Sequence, residues 1–247
     1  MGPMKHLLCL LLATVTPLVA APSDGRAIRF RTLCFEFAPG DHTVTVSGDP
    51  TLASKATVEL FRRLDSSQNQ ISVTVAQVLL GKPATDAAGN PLIEPMAVAK
   101  LPATGNEFLF LLVPSGRETG EVYRCMVLDD DTKKFPAGGF RLINMSHTKL
   151  RFMMGTERFE LLPGAIRMLE KIGGALEDGR FIYVAQYQEG DTWNRLSTGY
   201  WTRRDKIRSV QIAFLDPKTQ RLTMRGYDDT LVIANEALAK PKKKSKS

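Results

Sequence analysis

Apolar and polar residues alternate in short runs along most of the chain, and turn-forming residues close each run. Ile28-Arg29-Phe30-Arg31 alternates, as does Thr43-Val44-Thr45-Val46 between Gly40-Asp41 and Gly48-Asp49-Pro50. Thr57-Val58-Glu59-Leu60 and Ile71-Ser72-Val73-Thr74-Val75 repeat the pattern, and Glu107–Val113 is a denser apolar run closed by Pro114-Ser115-Gly116. A period of two places polar side chains on one face, which predicts strands. Residues 53–64 also fit a helix, with Ala56, Leu60 and Leu64 on one stripe, but their Thr, Val and Phe content favours a strand.

Further runs follow at 121–128, 139–144, 149–154, 158–162, 180–186, 193–201, 206–214 and 221–225, separated by Asp129–Lys134, Gly155, Pro163-Gly164, Glu177-Asp178-Gly179, Glu189-Gly190-Asp191 and Asp216-Pro217. Strand and turn at roughly ten-residue spacing predict an all-β sandwich or barrel. Residues 165–176 are the one stretch after 120 with a helical option, and Gly173-Gly174 either caps that helix or breaks a strand. The absence of a strand-helix-strand alternation argues against a doubly wound nucleotide fold. Pro114–Gly120 is polar and holds two glycines near the middle of the chain. It is the expected boundary between two β-sandwich-like (Ig-like) domains, at 22–115 and 120–230.

The first 21 residues change the expected compartment. Lys5 precedes an apolar run, Leu7–Val15, then Pro17 and the small residues Ala20 and Ala21. That layout is a secretory signal peptide, with an apolar core of about nine residues against the roughly 20 a membrane span needs. Cys9 lies inside that run and leaves with it. No later segment is long and apolar enough to span a bilayer, so the mature chain is expected in the periplasm, the envelope or the extracellular space. Cys34 and Cys125 remain, and outside the cytoplasm such a pair is either a disulfide joining the two halves or two buried thiols. The net charge of the 247-residue chain is +7. Its last nine residues, 239–247, read AKPKKKSKS and include Lys242, Lys243 and Lys244. Such a run predicts a disordered basic tail that solubilises the chain or attracts an anionic polymer.

Candidate chemistry is sparse. His42 and His147 sit in turns with no nucleophile motif nearby, and no Cys/His spacing matches a zinc site, so neither a catalytic residue nor a metal or cofactor is expected. Asp129-Asp130-Asp131 lacks the alternating ligands of a calcium loop and reads as a solvated hairpin turn. Asn144-Met145-Ser146 is a glycosylation sequon. Tyr183, Tyr187, Trp193, Tyr200 and Trp201 gather in the second half, followed by Arg203, Arg204, Lys206 and Arg208. Trp193, Tyr200, Trp201, Arg203 and Arg204 are therefore candidate binding residues, since exposed aromatics stack on sugars or bases. Tyr200 and Trp201 point to opposite faces of a strand, so at least one of them belongs to the core.

Phe135-Pro136 with Gly138-Gly139, the strand to Asn144 and Ser146, Leu161-Leu162-Pro163-Gly164, Tyr187, Trp193, Trp201, Arg208, Phe214 and Asp216 together form a pattern over about 120–227. In that pattern the chain resembles exported bacterial β-domain proteins without an assigned activity. The resemblance implies an envelope-associated β-sandwich and supplies no catalytic residues. The expected function is binding or assembly, with an envelope protein as partner. The alternative is a module for an anionic polymer or glycan, with nucleic acid the least favoured ligand. An unrecognised hydrolase is the third reading.

Overall fold

The structure, a computed structural model, describes residues 25–231 apart from 39, 41, 65–66, 118–119 and 217–218. The expected signal peptide, 1–21, and basic tail, 239–247, with Lys242, Lys243 and Lys244, lie outside the described residues. The first eight strands are β1 (Arg26–Cys34), β2 (Thr43–Ser47), β3 (Lys55–Glu59), β4 (Asn69–Val73), β5 (Gln77–Thr85), β6 (Pro91–Lys100), β7 (Glu107–Pro114) and β8 (Tyr123–Asp129). The next eight are β9 (Phe140–Asn144), β10 (Leu150–Met154), β11 (Glu157–Leu161), β12 (Ile166–Leu169), β13 (Arg180–Glu189), β14 (Thr192–Thr202), β15 (Arg208–Leu215) and β16 (Leu222–Asp229). The protein is all-β, and its four-stranded sheets form two sandwich-like units.

The two units share one topology. In the first, the sheets run β4-β1-β7-β8 and β3-β2-β5-β6; in the second, β12-β9-β15-β16 and β11-β10-β13-β14. Adding eight to each strand of the first unit gives the second. Pairing direction repeats too: β1 with β7 and β9 with β15 are parallel, and the other neighbours are antiparallel. Even the irregularity repeats. The β5–β6 register shifts between Leu80 and Gly81, and the β13–β14 register between Ala185 and Gln186. A bulge at the same place in two hairpins of the same order marks one plan used twice.

Period-two patterning decides how the sheets stack. In β1, Ile28 and Phe30 face the first unit's core with Val44, Val46, Leu80, Phe108 and Phe110. The opposite face of the same sheet is also apolar. Leu33, Leu109, Leu111 and Leu128 pack against Ile143, Val210, Ile212 and Tyr227 of the second unit. The far side of that second-unit sheet carries Phe140 and Leu142, which join Leu150, Phe152, Phe181 and Ala185 in a third core. The order of layers is therefore β3-β2-β5-β6, β4-β1-β7-β8, β12-β9-β15-β16, β11-β10-β13-β14, with both middle sheets buried on both faces. The registers make the middle interface nearly self-complementary: Leu33 corresponds to Ile143, Leu109 to Val210, Leu111 to Ile212 and Leu128 to Tyr227. Two equivalent faces meet as they do in a two-fold dimer, here within one chain.

Two expectations need correction, and two strands lie where the pattern predicts none. Pro114–Gly120 does not divide the domains. It joins β7 to β8, which pair along Phe108↔Asp129 to Pro114↔Tyr123 in one sheet, so the first unit continues to Asp129 and the second begins at Phe140. The helical option over 165–176 gives way to β12, whose Ile166–Leu169 pairs with β9. Strands β5 and β6 carry Gly81, Pro83, Pro91 and Pro95, which mask their pattern. The fold tolerates them because β6 is an edge strand and β2 pairs β5 only over Leu79–Gly81.

Candidate functional site

Two places gather charged side chains on built scaffolds: the junction between the units, and one end of the second unit with its adjoining outer sheet face. At the junction, Arg31 of β1 donates from Nε to Asp130 at 2.7 Å and from Nη1 to Asp229 at 2.9 Å. Arg208, which opens β15, donates from Nη2 to the same two carboxylates, at 2.8 Å to Asp130 and 2.5 Å to Asp229. These four side chains are at most 2% exposed. Two carboxylates bridged by two guanidinium forks satisfy one another's charge in a buried site, which an isolated ion could not do. Burial pushes the Asp229 carboxyl up, but hydrogen bonding and charge from Arg31, with Arg208, outweigh it and hold the group below its usual range. Asp129 bonds Lys134 at 2.6 Å, and the Asp131 carboxylate accepts the Lys133 amide at 2.9 Å. The acidic triplet is thus a corrected expectation. Its middle member is a buried tie between units and only its flanks form the turn.

Arg141 of β9 stands where Arg31 stands in β1, yet its role differs. It donates to the Asp129 carbonyl at 2.5 Å and stacks 4.2 Å from the Phe135 ring centre, while its Nη1 is buried without a partner. Burial pulls its guanidinium below the usual arginine range, and Arg208 adds to the effect against the pull of Asp130. The whole cluster is enclosed and serves to hold the two units together.

The second place is open to solvent. Pairing registers put Arg151 and Met153 of β10, Ile182, Val184 and Gln186 of β13, and Trp193 and Tyr200 of β14 on the outer face of the last sheet. Arg151 donates from Nε to Gln186 Oε1 at 2.7 Å and lies 4.4 Å from the Trp193 ring centre. The amide and the ring hold its guanidinium upright on the sheet. Ile182 and Tyr200 are 50% and 58% exposed, and Arg180 lies 5.5 Å from the Tyr200 ring centre. Beside this face, at the end of the sandwich, the turn at 146–148 and the β13–β14 and β15–β16 hairpins enclose a cleft of about 560 Å³.

The candidate binding residues are only partly brought together: Tyr200, Trp201 and Arg204 line a shallow cleft of about 370 Å³ with Gln211 and Asp228, while Trp193 and Arg203 are not part of it. Trp193 and Tyr200 lie on the outer face, but Trp201 points inward, stacked 4.0 Å from Tyr183 and 6.0 Å from Phe140. As expected of neighbours on a strand, one of the pair Tyr200 and Trp201 is core. Arg203 pairs with Asp205 at 3.4 Å and Arg204 pairs with Asp228, so neither stands with Trp193. Among the described residues no group of three or more His, Cys, Asp or Glu could hold a metal ion. His147 is exposed beside the cleft, and His42 stacks on Phe37 at 3.9 Å.

Two further features change meaning. Cys34 and Cys125 are free thiols. Both stand in register with Leu112 of β7, one on each side, so their backbones are two strand spacings apart, about 9.6 Å. A disulfide needs Cα atoms within about 7 Å, which excludes the bridge here. Burial pushes the thiols up, to about 11 at Cys34 and about 12 at Cys125. Asn144 of the sequon is fully buried; its Nδ2 donates to the Thr148 and Leu161 carbonyls, and its Oδ1 accepts from Ser146. This motif folds a turn and offers no amide for a glycan.

Arg31 and Asp229 at the junction, and Arg151, Arg195 and Arg221 at the open end, escape a reading based on motifs, and Arg208 belongs to the pattern over 120–227 without a role being assigned to it. One signal was available for the first group: Phe30-Arg31 returns as Phe140-Arg141, and Asp129-Asp130 as Asp228-Asp229, at matching strands. No known protein family matches the chain, and no curated protein matches it either.

Proposed function

We propose that this is a non-catalytic binding protein of the envelope or extracellular space, in which the first unit and the junction form a rigid support and the open end of the second unit meets the ligand. The observation that carries this reading is the state of its arginines. Arg31, Arg62, Arg180, Arg204, Arg208 and Arg225 all pair with carboxylates. Arg195 and Arg221 line one cleft with Tyr187 and His147, and Arg151 stands beside Trp193 on the adjoining sheet face; none of the three makes an ion pair among the described residues, and it is their grouping near aromatic rings that sets them apart from the other arginines without one. Unpaired guanidinium groups beside aromatic rings suit an anionic or hydrogen-bonding ligand. The signal-peptide pattern of residues 1–21 supports action outside the cytoplasm, and the lysines at 240–246 would add a diffuse attraction to the same kind of ligand.

The test is retention of the full-length chain on envelope polymers and envelope proteins extracted from its host, at low and high salt. Specific retention that weakens in an Arg151→Gln, Arg195→Gln double variant supports the reading. Equal retention of the double variant contradicts the placement of the site. Turnover of an ester, glycoside or peptide substrate contradicts its non-catalytic character.

A further inference from the structure

The cleft at the end of the second unit is asymmetric in its chemistry. Arg195 enters from β14 and Arg221 from the β15–β16 turn, and both are exposed. The acid on its wall, Glu189, is already engaged by Asn194, whose Nδ2 donates to Oε2 at 2.9 Å. Leu196, Leu222 and Tyr187, all packed against the third core, supply the apolar part of the lining. Gln188 and Thr148 add amide and hydroxyl groups, with the Thr148 hydroxyl fixed on the Gln188 carbonyl. Residue 220, just before Arg221, has a fixed backbone geometry. Gln220 sits in the left-handed region at φ 55°, and its amide donates to the Asp216 carbonyl at 2.8 Å. That geometry sets where Arg221 emerges.

The cleft also leads somewhere. Gln188 on its wall stands opposite Trp193, and Arg195 opposite Gln186, the residue that steadies Arg151. A chain leaving the cleft along this sheet would pass Arg151 and Trp193. Two guanidinium forks without an ion pair among the described residues call for a carboxylate or phosphate. A wall that is part aromatic and aliphatic, part amide and hydroxyl, calls for a ring with an apolar C–H face and polar edges. A volume of about 560 Å³ lies in the range of small-ligand pockets, roughly 300–1,000 Å³.

Taking the binding-protein reading above as its base, we propose that this cleft holds one carboxylate-bearing sugar of an acidic polysaccharide. Arg195 and Arg221 engage the carboxylate, Tyr187 meets the ring, and the following sugars run over Arg151 and Trp193.

The experiment is calorimetric titration of the full-length chain with an oligogalacturonate of six residues, against a neutral glucan hexamer and a single-stranded DNA of matched charge. The acidic hexamer should bind and the neutral one should bind at least about tenfold more weakly, the loss expected when charged hydrogen bonds are removed. Arg195→Gln with Arg221→Gln should weaken the acidic hexamer by at least about tenfold while leaving the thermal melt unchanged, since both side chains are exposed. Arg151→Gln should weaken the hexamer but not a galacturonate dimer. Equal binding of the neutral hexamer overturns the acidic specificity while leaving a binding protein. Equal or tighter binding of DNA overturns the sugar. Failure of every probe, with retention by an envelope protein in the extract, overturns this inference alone; failure of both overturns the base reading as well.

Discussion

The two units differ least where they are built and most where they are charged. Strand order, pairing direction and bulge position are shared, yet matched positions carry different groups. Arg31 of the first unit grips Asp130 and Asp229, while Arg141 at the equivalent place grips no carboxylate among the described residues. Glu107 opens β7 and pairs with Arg29 towards solvent; Arg208 opens β15 at the matching place and supplies the second cation of the junction. At the matched bulge, Gly81 presses so closely on β6 that an added Cβ would lie 1.9 Å from the Glu94 carbonyl oxygen. The second unit has Gln186 there, and uses it to hold Arg151. The repeated plan fixes the layers, and departures from it create the lock and the open surface.

The largest expected effect is loss of one junction carboxylate. Asp229→Ala leaves two buried guanidinium groups sharing Asp130, and should cost about 3–5 kcal/mol in urea unfolding. Next is the bulge comparison. Gly81→Ala must push the β5 and β6 backbones apart and should cost about 2 kcal/mol, whereas Gln186→Ala should cost under about 1 kcal/mol. Equal costs at the two sites would break the claim that the bulges are packed differently.

The pH dependence sharpens the lock. Asp229 is held below its usual value, so its contribution is fully present above the ordinary carboxylate pKa and is lost as pH falls through the lower folded one. Unfolding free energy measured downward from about pH 4 should fall more steeply in the native sequence than in Asp229→Asn. The smallest effect concerns thiols. With Cys34 and Cys125 raised by burial, both should react slowly with a thiol reagent at pH 8 and rapidly in denaturant. A disulfide found in the folded chain would contradict the register around Leu112.

Much of this architecture was legible in the alternation of residues, because each sandwich face leaves a period-two trace. Most strands follow the runs the pattern predicts, and Trp201 and Tyr200 divide between core and surface as strand geometry demands. The middle interface was harder to see. Leu109 and Leu111 alternate with Phe108 and Phe110, so β7 reads as a dense apolar run and does not announce two faces covered by different partners. The boundary was misread because Gly116 and Gly120 resemble a linker, whereas a hairpin turn has the same composition. The lock was harder to see because Arg31, Asp130 and the pair Arg208 and Asp229 come from three separate parts of the sequence and look like surface charges. The duplication that connects them lives in pairing registers, with only Phe-Arg and Asp-Asp repeated in the letters.

The most direct test compares Arg31→Met with Arg141→Met by urea unfolding of the full-length chain. Methionine keeps much of the buried stem volume at each site and removes the charge. The account predicts a loss of about 3 kcal/mol or more for Arg31→Met, which strands Asp130 and Asp229 on Arg208 alone, and under about 1 kcal/mol for Arg141→Met. Equal losses at the two matched positions would contradict the claim that one plan, used twice, became a lock on one side only.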